Sequence, residues 1–148
     1  MGPDPRADIA SGDHDSHDGR MEQFNPLFPK GKYFGDLSPL GPRNLIDVHP
    51  AVTFHVSNTI GVGFSAMAYW RESRGDGIYD TPGHLLRSGS VSQSRFIGKE
   101  VETGVEWQAT PELTLSVSAG IFQPGSFVRE TGPGRPIRML GLESNFRF

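Results

Sequence analysis

A chain of 148 residues has room for one domain, and its net charge of −3 comes from scattered charges that form no basic stripe for nucleic acid. The absence of cysteine excludes a disulfide framework, a thiol nucleophile and a cysteine-ligated zinc site. The 19 glycines and 12 prolines favour many strands joined by turns. Residues 1–148 are therefore predicted to form a single region with no nucleic-acid partner.

Six strands are predicted in chain order from period-two alternation of apolar and polar residues. A short strand is expected near Ala7–Gly12, and longer ones follow in "LIDVHPAVTFHV" and "IGVGFSAMAYW". The clearest alternation is that of "LTLSVSAGIF", whose polar face carries only small residues. Small polar residues suit a wet interior better than an outer surface of lysine and glutamate. The remaining predicted strands lie in "VETGVEW" and in the final "MLGLESNFRF".

The connections between these strands alternate in length. Tight turns are predicted at 57–59 and 109–112, whereas long polar connections are predicted at about 14–43, 72–94 and 123–134. In an up-and-down meander this order places every short turn at one end and every long loop at the other. Short turns on one side and long external loops on the other are typical of outer-membrane β-barrels.

Aromatic residues are expected at both ends of these strands, as girdles at the two lipid headgroup layers. The sequence therefore predicts an all-β fold, an antiparallel up-and-down transmembrane β-barrel segment of about six strands, in contact with outer-membrane lipid. The alternative is a soluble β-sandwich that binds carbohydrate on aromatic platforms. The predicted girdles are Trp107, Phe146 and Phe148 at the short-turn end, and Tyr69, Trp70 and Phe122 at the long-loop end.

Several segments carry a resemblance to a known family. They are "FNPLFPKGKYFGDLSPLGPRNLIDVHP", "ASGDHDSHDG", "DGIYDTPGHLLR" and "RETGPG", together with the closing "FRF". In this order they resemble the alginate-export family of outer-membrane porins. The resemblance implies a bacterial outer-membrane barrel of about eighteen strands that passes an anionic polysaccharide or a small hydrophilic solute. On that basis the chain corresponds to the C-terminal third, and Phe146 and Phe148 resemble the signal read by the barrel-assembly machinery.

Two features predict that the chain is a piece of a larger assembly. Its first residues, "MGPDPRADIA", lack the basic and apolar regions of a signal peptide. Six strands are also too few to close around a pore, since the smallest natural barrels have about eight. The expected partners are therefore preceding barrel strands or other copies of the chain.

Charged and polar residues on the inward face are the candidates for contact with solute. Arginine is preferred because its guanidinium binds a carboxylate through two hydrogen bonds. The candidates mix both signs, so strong anion selectivity is not indicated, and a wet lumen by itself also favours polar residues. The preferred positions are Arg71, Arg129 and Arg138, and the others are His49, His55, Glu102, Glu106 and Arg147.

The segment "GDHDSHDG" is a weak candidate for calcium. Asp13, Asp15 and Asp18 offer oxygen ligands, but their spacing misses the EF-hand pattern, and a solvated loop is the alternative. No other cofactor is predicted. No catalytic motif is present, so the chain is not predicted to be an enzyme.

The first long connection, about 14–43, is predicted to fold inward and to narrow the entrance. It is rich in glycine and proline and contains Phe24, Phe28 and Phe34. Large apolar side chains in a solvated loop are costly unless they pack against something.

Overall fold

The computed structural model of the chain describes residues 4–14, 20, 22–24, 34–37 and 39–148. Eight strands and one short helix make up the regular structure of this part, and a single turn of 3₁₀-helix spans Gly89–Val91. The elements are β1 (Asp4–Ala10), β2 (Leu45–His55), β3 (Ile60–Trp70), β4 (Ile78–Tyr79), β5 (Leu85–Arg87), β6 (Phe96–Gln108), β7 (Leu113–Pro124), α1 (Ser126–Glu130) and β8 (Ile137–Phe146).

The six longer strands form one antiparallel sheet in the order β1-β2-β3-β6-β7-β8. This confirms the prediction of an all-β, antiparallel up-and-down fold of about six strands. The sheet is not closed, and its order and pairing are consistent with a partial β-barrel. The bounds differ from the prediction mainly in β1, which begins at Asp4, and in β6, which begins at Phe96.

The two predicted short turns join β2 to β3 and β6 to β7. In the first, the backbone N–H of Val56 donates to the carbonyl of Ile60 over 2.9 Å. In the second, the hydroxyl of Thr110 accepts the backbone N–H of Leu113 over 3.1 Å. Serine and threonine side chains that bond to nearby backbone groups are what make such turns tight.

The sheet has one apolar face and one polar face. The apolar face carries rows of β-branched and large side chains across neighbouring strands, for example Val62, Val105, Val117 and Leu142 in register. It is uncovered, since Leu142 is 79% exposed. Within the described chain no second layer packs on this face, which corrects the β-sandwich alternative: a soluble sandwich would bury these side chains between two sheets.

The buried core lies where the long connections meet the polar face, at the end of the sheet away from the short turns. The connection after β3 contains the β4–β5 hairpin and the 3₁₀-turn, and the connection after β7 contains α1. Among the described residues, no helix is long and apolar enough to cross a membrane. The core residues are Phe34, Leu40, Leu45, Met67, Tyr69, Ile78, Ile97, Phe122, Phe127 and Val128.

The predicted girdle at the long-loop end is only partly correct. Tyr69 and Phe122 are almost completely buried on the polar face, with ring centroids 6.3 Å apart, because the connections fold over them. Trp70 lies on the apolar face, where its ring centroid is 5.7 Å from that of Phe96. At the short-turn end, Trp107 and Phe146 are exposed, as a girdle requires.

Candidate functional site

The polar face of the sheet is an open surface floored by very small side chains. Gly63, Gly104, Ser118 and Gly141 stand side by side across four strands. Two cavities of about 250 and 400 Å³ lie on this floor, and both are bounded by Asp36 from the first long connection. The lack of bulky side chains leaves free volume here that a solvated molecule can occupy.

A short stretch of the first long connection, residues 34–37, crosses over this face. We name it the crossing segment. The carboxylate of Glu102, midway along β6, accepts the backbone N–H of Asp36 over 3.1 Å and that of Leu37 over 2.6 Å. At the other side the ring of Phe34 packs edge-on against Tyr69, with centroids 5.7 Å apart. These residues of the first long connection therefore lie over the polar face.

Gly35 permits this close approach. Its φ of +135° lies in a region that other residues rarely adopt, and a Cβ at this position would overlap the Glu102 carboxylate. Because hydrogen bonds to a carboxylate are stronger than those between neutral groups, Glu102 is a strong polar anchor of the crossing segment. Glu102 was predicted to line the polar face, but its role as an anchor has no signal in the sequence.

Arg71 is not available to bind solute, which corrects a preferred prediction. Its side chain is fully buried and donates to the carbonyl oxygens of Arg74, Asp76, Gly89, Ser92 and Ser94 at distances of 2.7 to 3.4 Å. The guanidinium carbon also lies 4.0 Å from the centroid of the Phe127 ring. Burial lowers the pKa of Arg71. Its role is to hold the connection between β3 and β6 together.

The other two preferred arginines lie away from the polar face. Arg138 stands opposite Ile121 and shares the apolar face with Leu140, since residues two apart in a strand point the same way. Arg129 of α1 borders a groove with Lys99, which the register places on the apolar face as well. The preference for these residues as solute contacts is therefore not supported by their positions.

The remaining predicted residues are spread along the sheet. His55 and Glu106 border the larger floor cavity, whereas Arg147 is exposed near the short turns, where its backbone N–H donates to the carbonyl of Glu112. His49 bonds to Asp47, its Nδ1 lying 2.9 Å from Oδ2. Asp8, which faces Asp47 from β1, was missed because only strand pairing brings the two together.

The weak calcium site stays an untested prediction. The backbone N–H of Asp13 donates to the carboxylate of Asp76 over 3.0 Å, and its carbonyl accepts the hydroxyl of Ser73 over 2.8 Å. Asp15 and Asp18 lie outside the described residues, as does Phe28.

Buried polar side chains tie the long connections to one another. Asn44, at a positive φ of 47°, donates to the carbonyls of Ser73 and Gly77 and accepts the N–H of Ser73. Asp76 accepts the hydroxyl of Tyr79 over 2.6 Å, and desolvation together with this bond raises the pKa of Tyr79 to about 12. These hydrogen bonds hold the long connections together as a packed layer at one end of the sheet, and we name this layer the cap.

Comparison with known proteins agrees with this architecture. The family model described as alginate export matches residues 5–138. The match runs from β1 to the first residues of β8, so it includes both faces of the sheet and the cap at its end. No curated protein and no solved structure matches the chain significantly.

Proposed function

The chain belongs to the alginate-export family of outer-membrane β-barrel transport proteins, and on this premise we propose that its polar face lines part of a passive export pore. The solute we propose is a hydrophilic, anionic polysaccharide of the alginate type, with a small hydrophilic solute as the other candidate. The family is one of transport porins, and the proposed pore likewise needs no chemical step.

The two faces of the sheet support this role. Exposed valine, leucine and phenylalanine side chains on the apolar face would cost free energy in water but are stabilised in lipid. The opposite face offers glycine, serine and threonine, which leave room for hydrated solute. Lipid on one side and a wet passage on the other is therefore the environment that suits both faces.

The crossing segment is the observation that carries the proposal. Its backbone passes over the middle of the polar face, anchored by Glu102, and so narrows whatever space that face encloses. The floor beside it carries the carboxylates of Glu102, Glu106 and Glu143. These carboxylates repel a polyanion, so this part of the wall does not bind the proposed anionic solute, and the small hydrophilic solute stays the other candidate.

Conductance through the complete barrel in planar bilayers tests this mechanism. Replacing residues 24–40 by a short glycine–serine linker removes the crossing segment and should raise single-channel conductance. A matched replacement of residues 80–84, the tip of the β4–β5 hairpin, should leave conductance unchanged. Equal conductance in all three barrels would refute a narrowing role for the crossing segment.

The same proposal implies partners for the sheet and for its assembly into the membrane. Barrel strands outside this sheet, or other copies of the chain, complete the wall by pairing with the edge strands β1 and β8. The barrel-assembly machinery recognises the exposed Phe146 and Phe148. If so, Phe148→Ala should slow assembly into outer-membrane vesicles, whereas the neighbouring Arg147→Ala should not.

A further inference from the structure

Two aspartates and a histidine meet between β1 and β2 on the polar face. In the sheet register Asp8 stands directly opposite Asp47, and His49 follows on the same face. One carboxylate oxygen from each aspartate and one imidazole nitrogen of His49 lie within 4.8 Å of one another. Like charges directly opposite each other destabilise a strand pair, and a cation bound between the two carboxylates would offset this repulsion.

Among the described residues, one oxygen of the Asp47 carboxylate has no hydrogen-bond donor. The side chain is 1% exposed, and while Oδ2 bonds to His49, the buried Oδ1 accepts no hydrogen bond from this part of the chain. A buried carboxylate oxygen without a donor is costly, and a bound cation removes that cost.

Space for a cation and its water ligands lies beside these groups. A cavity of about 270 Å³ is bounded by both carboxylates and by the apolar side chains of Phe24, Phe34 and Leu45. Apolar walls lower the local dielectric constant, so the attraction between the carboxylates and a cation is stronger here than in water.

We propose that Asp8, Asp47 and His49 bind a divalent transition-metal ion, of which Zn²⁺ is the representative, and that the ion fastens β1 to β2. An imidazole with two carboxylates suits Zn²⁺ or Mn²⁺, whereas Ca²⁺ favours oxygen ligands throughout. Two ligands at about 2.1 Å from an ion stand about 3.0–3.4 Å apart. The 2.9 Å between His49 Nδ1 and Asp47 Oδ2 needs only a small adjustment.

Binding replaces the hydrogen bond between His49 and Asp47 by two bonds to the ion. When His49 Nδ1 carries the proton of that bond, the proton is released to solvent, and water in the cavity completes the coordination. This site goes beyond the proposed pore function, and its test does not use conductance. Failure of one proposal therefore leaves the other standing.

Calorimetric titration of the metal-stripped chain in detergent micelles tests the site, with ZnCl₂, MnCl₂ and CaCl₂ as probes. We expect one Zn²⁺ per chain, with Ca²⁺ bound at least tenfold more weakly. Asp8→Asn and His49→Gln should each weaken Zn²⁺ binding at least tenfold. His55→Gln, on the same strand and face but outside the cluster, should bind Zn²⁺ as the parent chain does.

Folding and coordination are checked in the same samples. Circular dichroism of Asp8→Asn, whose side chain is exposed, should show the parent strand content, so that its loss of binding is local. X-ray absorption at the zinc edge should show one nitrogen ligand in the parent chain and none in His49→Gln. Three outcomes would each overturn the proposal: no Zn²⁺ binding by the parent chain, Zn²⁺ binding in either cluster variant that is as tight as in the parent chain, or Zn²⁺ binding weaker than Ca²⁺ binding.

Discussion

Glu102 should control how firmly the crossing segment is held, and Glu102→Gln removes the charge while keeping the size of the side chain. The carboxylate accepts two backbone N–H groups, at 3.1 and 2.6 Å, and is 8% exposed. Glutamine offers a single oxygen acceptor, so one hydrogen bond to a charged group is lost. Such a bond contributes about 1.5–3 kcal/mol, which corresponds to about 10- to 150-fold faster opening of the segment.

Hydrogen–deuterium exchange of the amides in residues 34–37, in detergent micelles, measures this opening. Gly35→Ala should accelerate the same amides, because its Cβ overlaps the carboxylate and its backbone is strained at φ +135°. The control is Glu106→Gln, an exposed glutamate on the same strand and face. Unchanged exchange in Glu102→Gln, or equal acceleration in Glu106→Gln, would refute the anchoring role.

Three further predictions follow from the cap and the sheet. Arg71→Lys offers at most three donors to a cage of carbonyls, so it should destabilise the connection after β3 by at least about 2 kcal/mol and speed its cleavage by chymotrypsin. Val117→Arg on the apolar face should cost about 2–4 kcal/mol in urea unfolding from lipid vesicles, whereas Ser116→Arg, next in the chain on the polar face, should be tolerated. Hydrogen bonds from two serine hydroxyls lower the pKa of Glu130. A depressed pKa stabilises the cap above the carboxyl's ordinary value of 4.5, and this effect is lost as the pH falls below that value. Proteolysis from pH 6 to 3 should therefore show a larger loss of protection in the parent chain than in Glu130→Gln.

The alternation of apolar and polar residues along the chain determined the strands of the sheet and their two faces. Side chains in a strand alternate with a period of two, so "LTLSVSAGIF" and "IGVGFSAMAYW" reveal both the strand and the side on which each residue lies. Turn-forming residues at 57–59 and 109–112 then fix the hairpins and the up-and-down order. The same parity argument also places Arg138 with Leu140 on the apolar face, away from the other predicted lumen residues.

Contacts between distant segments could not be read from the sequence in this way. The cap buries Tyr69 and Phe122, which a strand pattern alone assigns to a membrane girdle, because a long connection folds back over them. The sequence places Arg71 just after a strand, where an arginine could bind solute. Only the path of the surrounding loop shows that Arg71 binds backbone carbonyls instead. A contact between a loop and a single arginine or phenylalanine leaves no periodic pattern in the sequence.

The sequence by itself determined which residues form strands, which face of the sheet is apolar and at which end the long connections lie, because those properties depend on neighbours along the chain. Only the tertiary structure decided that Glu102 anchors the crossing segment, that Arg71 is enclosed and that Asp8 faces Asp47. Each of these depends on strand register and on the path of a loop, which bring together residues far apart in the sequence.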